Sequence, residues 1–404
     1  MTRVLAVTDS DSYLKWTAAT VAALPSDWDT ELVVIANPVA PSAGQRAAAL
    51  GADTAVVPEL RLGAVIDKIV AESPDVLLLG ATGPVLHMIT RHTDLRGPDR
   101  PVIMTGLPGI SIPATERAIG FRRMCDLFVL HSAREVTDFA ALAAEEAPHL
   151  RFGLATLPFL PSGPAPEEPT SGAARPEPGE VIFAAQAKVP ARPEQRRAIL
   201  RALAAMPVAW RPVVKVRALA GEKQTHAEEF AYDELWRQMC RDDPSLDVDR
   251  IAFRGGSMAD ALTGASAFVT LSSTAALEAI AARVPSLVIS EFGVNAEMIN
   301  LVFTGSGLLG SLDRLMAAEF SLADPAWTRE NYFQEPFANT WLEQLQQLIT
   351  LRSESGLPAH PYEPMGHPLT RVRHWTRLRF PRSAPVVWDA AVRVGRRVKR
   401  FPRR

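Results

Sequence analysis

Short apolar runs recur along residues 1–157, at Val4–Val7, Glu31–Ala36, Thr54–Val57, Asp75–Gly80, Val102–Gly106 and Leu127–His131. Most are continuous rather than alternating, the pattern of parallel strands covered on both faces. Between them, stretches such as Lys15–Leu24 and Leu62–Glu72 carry helical periodicity. The pattern predicts a βαβ series. From Pro158 to Glu180 the chain reads PFLPSGPAPEEPTSGAARPEPGE, too rich in Pro, Gly and Ser to continue a helix or central strand. An exposed interdomain linker is predicted there. The alternation then restarts, with strands expected at Val181–Ala185, Pro212–Arg217, Arg250–Phe253, Ala267–Leu271, Ser286–Ser290 and Gly307–Leu309. Helices are expected at Pro193–Ala205 and Ala275–Arg283.

At 404 residues the chain exceeds one hydrophobic core. The expected organisation is an α/β domain over 1–157, the linker 158–180, a second α/β domain over 181–345 and an extension over 346–404. Apolar residues make up 47% and charged residues 22%, ordinary for a globular protein. The two cysteines, Cys125 and Cys240, lie far apart without ligand-spaced companions, which argues against a zinc site or disulfide framework and points to a reducing compartment. No run of 18 apolar residues is present, and the N-terminus has no signal-peptide pattern, so a cytoplasmic protein is expected.

The net charge of −2 hides an asymmetry. Arg371–Arg404 holds 12 Lys/Arg and one acid, so this segment carries +11 and the rest −13. Trp375, Leu378 and Phe380 interleave with arginines, and Trp388, Val392, Gly395 and Val398 fall near one helical face. This is the pattern of an interfacial helix on anionic lipid, placing the protein on the inner face of the plasma membrane. Nucleic acid fits less well, because the body is acidic and offers no basic channel.

The chemistry concentrates at strand exits. In Ala267–Ser290 a strand ends at Ser272-Ser273-Thr274 and a helix bearing Glu278 follows at once. Three hydroxyls beside the N–H groups of a first helical turn suit a nucleotide phosphate, although the same residues are favoured helix caps. Lys215 and Arg217 end another strand, and Glu222, Thr225 and His226 follow in its exit loop. A His there could stabilise charge on a leaving phosphate. Gln186 and Lys188 follow the first strand of the second half, and Gly255-Gly256 follows a later one. Asp9 and Asp11 follow the first strand of all and are the candidates for the base that takes a proton from an acceptor hydroxyl. Arg122, Arg123 and His131 are candidates to hold an acceptor, the arginines through a phosphate. No cofactor and no divalent metal are expected. No Asp-x-Asp stands out as a metal site, and Asp9-x-Asp11, which follows a strand, lies in the wrong half for a nucleotide metal.

Ala267–Ser290 resembles the donor-binding β–α–β of GT-B glycosyltransferases, whose two Rossmann-like domains face each other across a cleft. In that comparison Glu278 stands where a glutamate contacts the ribose. Ala282-Arg283-Val284-Pro285 matches the helix end, with Arg283 and Val284 replacing the usual residues there, including a Gly. The Ser272-Ser273 pair is similar to that of bacterial sialyl-, polysialyl- and Kdo-transferases, which use CMP-activated sugars. Across most of residues 1–335 the chain resembles an actinobacterial glycosyltransferase family with KxRxxxGExxTHxE and SSTAALEAI. The resemblance implies a nucleotide-sugar donor, and membrane contact of the basic tail fits a lipid-linked glycan or wall-polymer acceptor. UDP- or GDP-hexose transfer, CDP-polyol transfer, a sugar-nucleotide 2-epimerase and a silent membrane-bound binding protein stand as alternatives.

Overall fold

The fold is that of a computed structural model, described here for residues 1–51, 57–160, 176–216, 230–360 and 376. Seven strands form the first sheet: β1 (Arg3–Thr8), β2 (Asp29–Ile35), β3 (Glu59–Leu60), β4 (Val76–Gly80), β5 (Val102–Gly106), β6 (Leu127–Leu130) and β7 (Arg151–Leu154). Six form the second: β8 (Glu180–Ala184), β9 (Arg211–Lys215), β10 (Ala252–Arg254), β11 (Ala267–Thr270), β12 (Ser286–Ile289) and β13 (Leu309–Gly310). The orders are β3-β2-β1-β4-β5-β6-β7 and β10-β9-β8-β11-β12-β13, and every pairing is parallel. These are two Rossmann-like sheets, each reversing strand order beside its first strand, where such sheets bind ligands.

The continuous apolar runs explain the burial. Residues of β4, β5 and β6 are buried without alternation, because helices cover both faces. Most predicted strands form. Of Thr54–Val57 all but Val57 lies outside the described residues, and Val57 precedes β3. The strand expected from Arg250 begins at Ala252, after a 3₁₀ turn over Val248–Arg250. β7 was not predicted. Its four residues Arg-Phe-Gly-Leu are only partly buried and carry no apolar run.

The helix Trp341–Ser355 lies against the first sheet, and the boundary expected at residue 345 falls within it. Trp341, Leu345 and Leu348 pack with Val4, Ala6, Val76, Leu78 and Val129. Gly153 makes this seat possible, since a Cβ there would stand 2.6 Å from the Trp341 backbone. Arg352 completes it, donating to Asp75 Oδ1 and to the Arg100 carbonyl, both at 2.9 Å. The chain therefore crosses from the second half back to the first. Ile112 and Leu157, before the predicted linker, and Leu160, just inside it, pack in turn with Phe268 and Ala275 of the second half.

Among the described residues no helix is long and apolar enough to cross a membrane. The predicted basic tail lies outside the described residues except for Thr376.

Candidate functional site at the carboxyl edge of the second sheet

Four strand ends of the second sheet bring the predicted donor residues together. Lys215 closes β9 and is 6% exposed. Its ammonium donates to the Gly256 carbonyl at 2.6 Å and the Val216 carbonyl at 3.3 Å. Burial pushes its pKa down, opposed by Asp260 and Glu278. It thus stands as a cation held by neutral carbonyls, with no salt bridge among the described residues. Gly255 and Gly256 follow β10, and Gly256 has φ +91°, a left-handed turn suited to glycine. That turn aims the carbonyl that holds Lys215.

Gln186, just past β8, uses its side-chain oxygen to accept from the Ser272 N–H at 3.0 Å and the Ser272 hydroxyl at 2.9 Å. It braces the turn after β11. Ser273 accepts from the Ala275 N–H at 3.2 Å, and its carbonyl takes the Ala276 N–H. Fewer first-turn N–H groups are open than a bare helix start would offer, because Ser273 caps the helix itself. Thr274 has no capping bond and faces the first half. Glu278, one turn along, is half-buried. Burial raises its pKa, and Lys15 and Lys215 pull it back. Lys188 is exposed beside this edge. Arg217, Glu222, Thr225 and His226 lie outside the described residues.

Two supporting features were not anticipated. Arg196 is 1% exposed and donates to the carbonyls of Gln186, Ala187, Pro190 and Phe230, with its guanidinium 4.9 Å from the Tyr232 ring centroid. It fixes the loop carrying Gln186 and Lys188. Arg283 has φ +56° and sits where the GT-B pattern has glycine. The Val284 N–H bonds back to the Ala279 carbonyl at 2.9 Å, so the backbone turn of a Gly-ended helix is kept although the residue is not Gly.

The first half presents its own strand ends to this edge. Asp11 opens the helix Asp11–Ala22 and pairs with Lys15 at 3.0 Å. Lys15 is close enough to act on Glu278 across the interface. Asp9 is only 1% exposed and accepts from the Thr82 N–H at 2.9 Å and the Thr82 hydroxyl at 2.5 Å. Burial pushes its carboxyl up, against those bonds. Asp9 therefore ties β1 to the β4 exit and is less open to an acceptor than Asp11. The loop after β5 abuts the second half: a Cβ on Gly109 would stand 3.2 Å from the Thr274 hydroxyl.

His131 and Arg122 were expected to hold an acceptor, and their burial corrects that reading. His131 Nε2 accepts from the Trp16 indole N–H at 2.9 Å. Its Nδ1 therefore carries the proton and donates to the Ala155 carbonyl at 2.9 Å. Burial pulls its pKa down to about 4, so the ring is neutral. Arg122 is 2% exposed, lies 4.9 Å from the Phe128 ring centroid, and donates to Tyr13 and to carbonyls. Arg123, its neighbour, is half-buried. The adjacent Glu135 is fully buried, and burial raises its carboxyl to about 6.

Residues 4–348 match the family described as "Putative glycosyltransferase (DUF6716)". No curated protein matches the chain by sequence. Among solved structures the chain is similar to the S. aureus MnaA–UDP co-structure, at 10% identity and a TM-score of 0.55, covering 90% of this chain and 100% of that one. It is also similar to the UDP-GlcNAc 2-epimerase of Methanocaldococcus jannaschii, at 11% identity and TM-score 0.51, covering 87% and 99%. The Neisseria meningitidis UDP-GlcNAc 2-epimerase bound to UDP-GlcNAc aligns at 9% identity and TM-score 0.50, covering 87% and 99%. At such identities the likeness shows the fold alone, which is GT-B.

Proposed function

Since the chain belongs to that glycosyltransferase family, we propose that it moves a sugar from a nucleotide donor, held at the carboxyl edge of the second sheet, to a glycan precursor approached from the first half, without a metal. The observation that carries this is the convergence of Lys215, Gly256, Ser272–Thr274 and Glu278 from strands distant in sequence, with Lys15 opposite. Lys215 and the hydroxyl turn would take the phosphate, and Glu278 a ribose hydroxyl. Arg217, Glu222, Thr225 and His226 belong to the same loop reading. In the reaction the anomeric carbon–phosphate oxygen bond breaks as the acceptor oxygen bonds to that carbon. The acceptor proton passes to a carboxylate, for which Asp11 is better exposed than Asp9, and the leaving phosphate keeps its electron pair beside Lys215.

For the donor, Ser272-Ser273 favours a CMP-activated nonulosonate or Kdo-like sugar, and UDP is the rival because UDP occupies the S. aureus fold neighbour. A thermal-shift panel of CMP, UDP, GDP and CDP tests both. CMP is expected to raise the melting temperature. Stabilisation by UDP alone moves the donor to a UDP-sugar, and stabilisation by none of the four removes the donor site. The second reading, 2-epimerisation, is the activity named for two fold neighbours. It requires donor turnover without any acceptor, which transfer does not.

The acceptor is read as a lipid-linked glycan or wall polymer because of the basic segment 371–404. His360, eleven residues before that segment begins, lies 2.6 Å from Arg100, just ahead of β5 at the amino edge of the first sheet. Deleting 371–404 is expected to abolish co-sedimentation with anionic liposomes, and undiminished binding would refute the anchor.

A further inference from the structure

Beyond the apolar packing between the halves, a buried carboxylate ties them by hydrogen bonds. Glu135, near the start of the helix Ala133–Glu146, accepts three hydrogen bonds from three stretches of chain. Its Oε2 takes the His131 N–H at 2.9 Å. Its Oε1 takes the Ser111 N–H at 2.7 Å and the Tyr332 hydroxyl at 2.5 Å. Among the described residues it has no cationic partner, so these donors are what offset the burial of the carboxyl group.

Each donor leads somewhere different. Ser111 lies in the loop after β5, whose Gly109 abuts Thr274 and whose Ile112 packs into the second-half core beside Phe268 and Ala275. Tyr332 is 1% exposed, belongs to that same second-half core, and begins the crossing back to the first sheet. Further along this crossing, the Gln334 amide donates to the Ala155 carbonyl at 3.2 Å and the Thr340 N–H to the Leu154 carbonyl at 2.9 Å. The return crossing therefore runs beside the outgoing one. Tyr332 has φ +68°, a left-handed backbone that a bulky aromatic residue rarely adopts and that persists only where its surroundings hold it. The ring packing and the bond to Glu135 supply that hold.

We propose that Glu135 and Tyr332 are positioning residues: their buried contact latches the crossing between the halves to the Gly109–Ile112 loop and so holds that loop against the Ser272–Thr274 turn. The proposal rests on that turn being part of the donor site, but its latch is measurable without any ligand. A rotation of the halves would have to break the Tyr332 bond or drag Ser111 with it. Gly109 keeps the contact close because it interposes no side chain.

Hydrogen–deuterium exchange on the full chain tests this. Tyr332→Phe keeps the ring and removes the hydroxyl. Glu135→Gln keeps the shape and one acceptor oxygen, and serves if the first variant folds poorly. Both are expected to speed exchange about tenfold or more in residues 107–113 and also in 272–277, as losing a bond to a charged group does. Exchange in β1 and β4 should stay as in wild type. Wild-type rates at 107–113 in both variants would overturn the latch. Faster exchange confined to 131–146, without reaching 272–277, would reduce Glu135 to a local brace and overturn it equally. A second arm adds whichever of CMP, UDP, GDP and CDP stabilises the wild type. It should slow exchange at 107–113 in wild type and much less in the variants. If none of the four binds, the donor reading fails while the ligand-free comparison still decides the latch.

Discussion

Lys215→Met is expected to weaken nucleotide binding by about 10- to 150-fold, the loss of one hydrogen-bonded ionic contact of about 1.5–3 kcal/mol. The stem of the side chain is kept, so packing around β9 should survive. What disappears is an ammonium at the converging strand ends that, among the described residues, is held only by the carbonyls of Gly256 and Val216. Burial has already removed much of its water, so a phosphate would meet a partly desolvated cation, where charge acts over a lower effective dielectric. Isothermal titration with the nucleotide that stabilises the wild type measures the effect. A change of less than about threefold would place the phosphate elsewhere, since it is well under what an ionic contact contributes.

Asp126→Ala is expected to cost about 3–5 kcal/mol of stability, because it strands a charge that has no other buried counter-ion among the described residues. Arg100 and Asp126 are 2% and 3% exposed, and the guanidinium meets the carboxylate through two nitrogens at 2.5 and 2.7 Å. Asp126 also accepts the Ile103 N–H at 2.8 Å, so β5 loses a bond at its start. Arg100 further donates to the Pro358 carbonyl at 3.1 Å, linking this pair to the chain that leads into the basic segment. Urea unfolding followed by tryptophan fluorescence reads the loss. Arg100→Met with Asp126→Leu should cost much less than the single substitution, because neither charge is left alone. If the single and double variants unfold together, the charge-stranding argument fails.

Some of this molecule was legible in its residues taken in order. Continuous apolar runs such as Leu77–Leu79 and Phe268–Val269, bounded by turn residues, read as strands covered on both faces, so the repeated βα units followed from pattern, whereas most of the predicted linker, 161–175, lies outside the described residues. The Ser-Ser-Thr turn and Lys215 were readable because a strand end and a helix start are local events. The Gly expected near the end of the donor helix was a local signal too. Arg283 shows that the backbone turn is retained while the residue is exchanged.

Other features depend on partners far away in sequence, and no local pattern announces them. Arg122-Arg123 reads as a pair that holds an acceptor phosphate. The helical period turns Arg122 inward over Phe128, whereas its neighbour stays half-exposed. His131 ends a strand like a ligand-binding residue, but Trp16 and Ala155 occupy both its nitrogens. The seat of Trp341 depends on the absence of a side chain at Gly153, and the latch at Glu135 on a tyrosine almost two hundred residues later. The sequence by itself determined which segments are strands and helices and which strand ends carry hydroxyl and cationic side chains, because hydrophobic period and capping act over a few residues. Only the tertiary structure decided which polar groups are spent inside the protein and which face the cleft. Burial and hydrogen-bond pairing are properties of groups brought together by the fold.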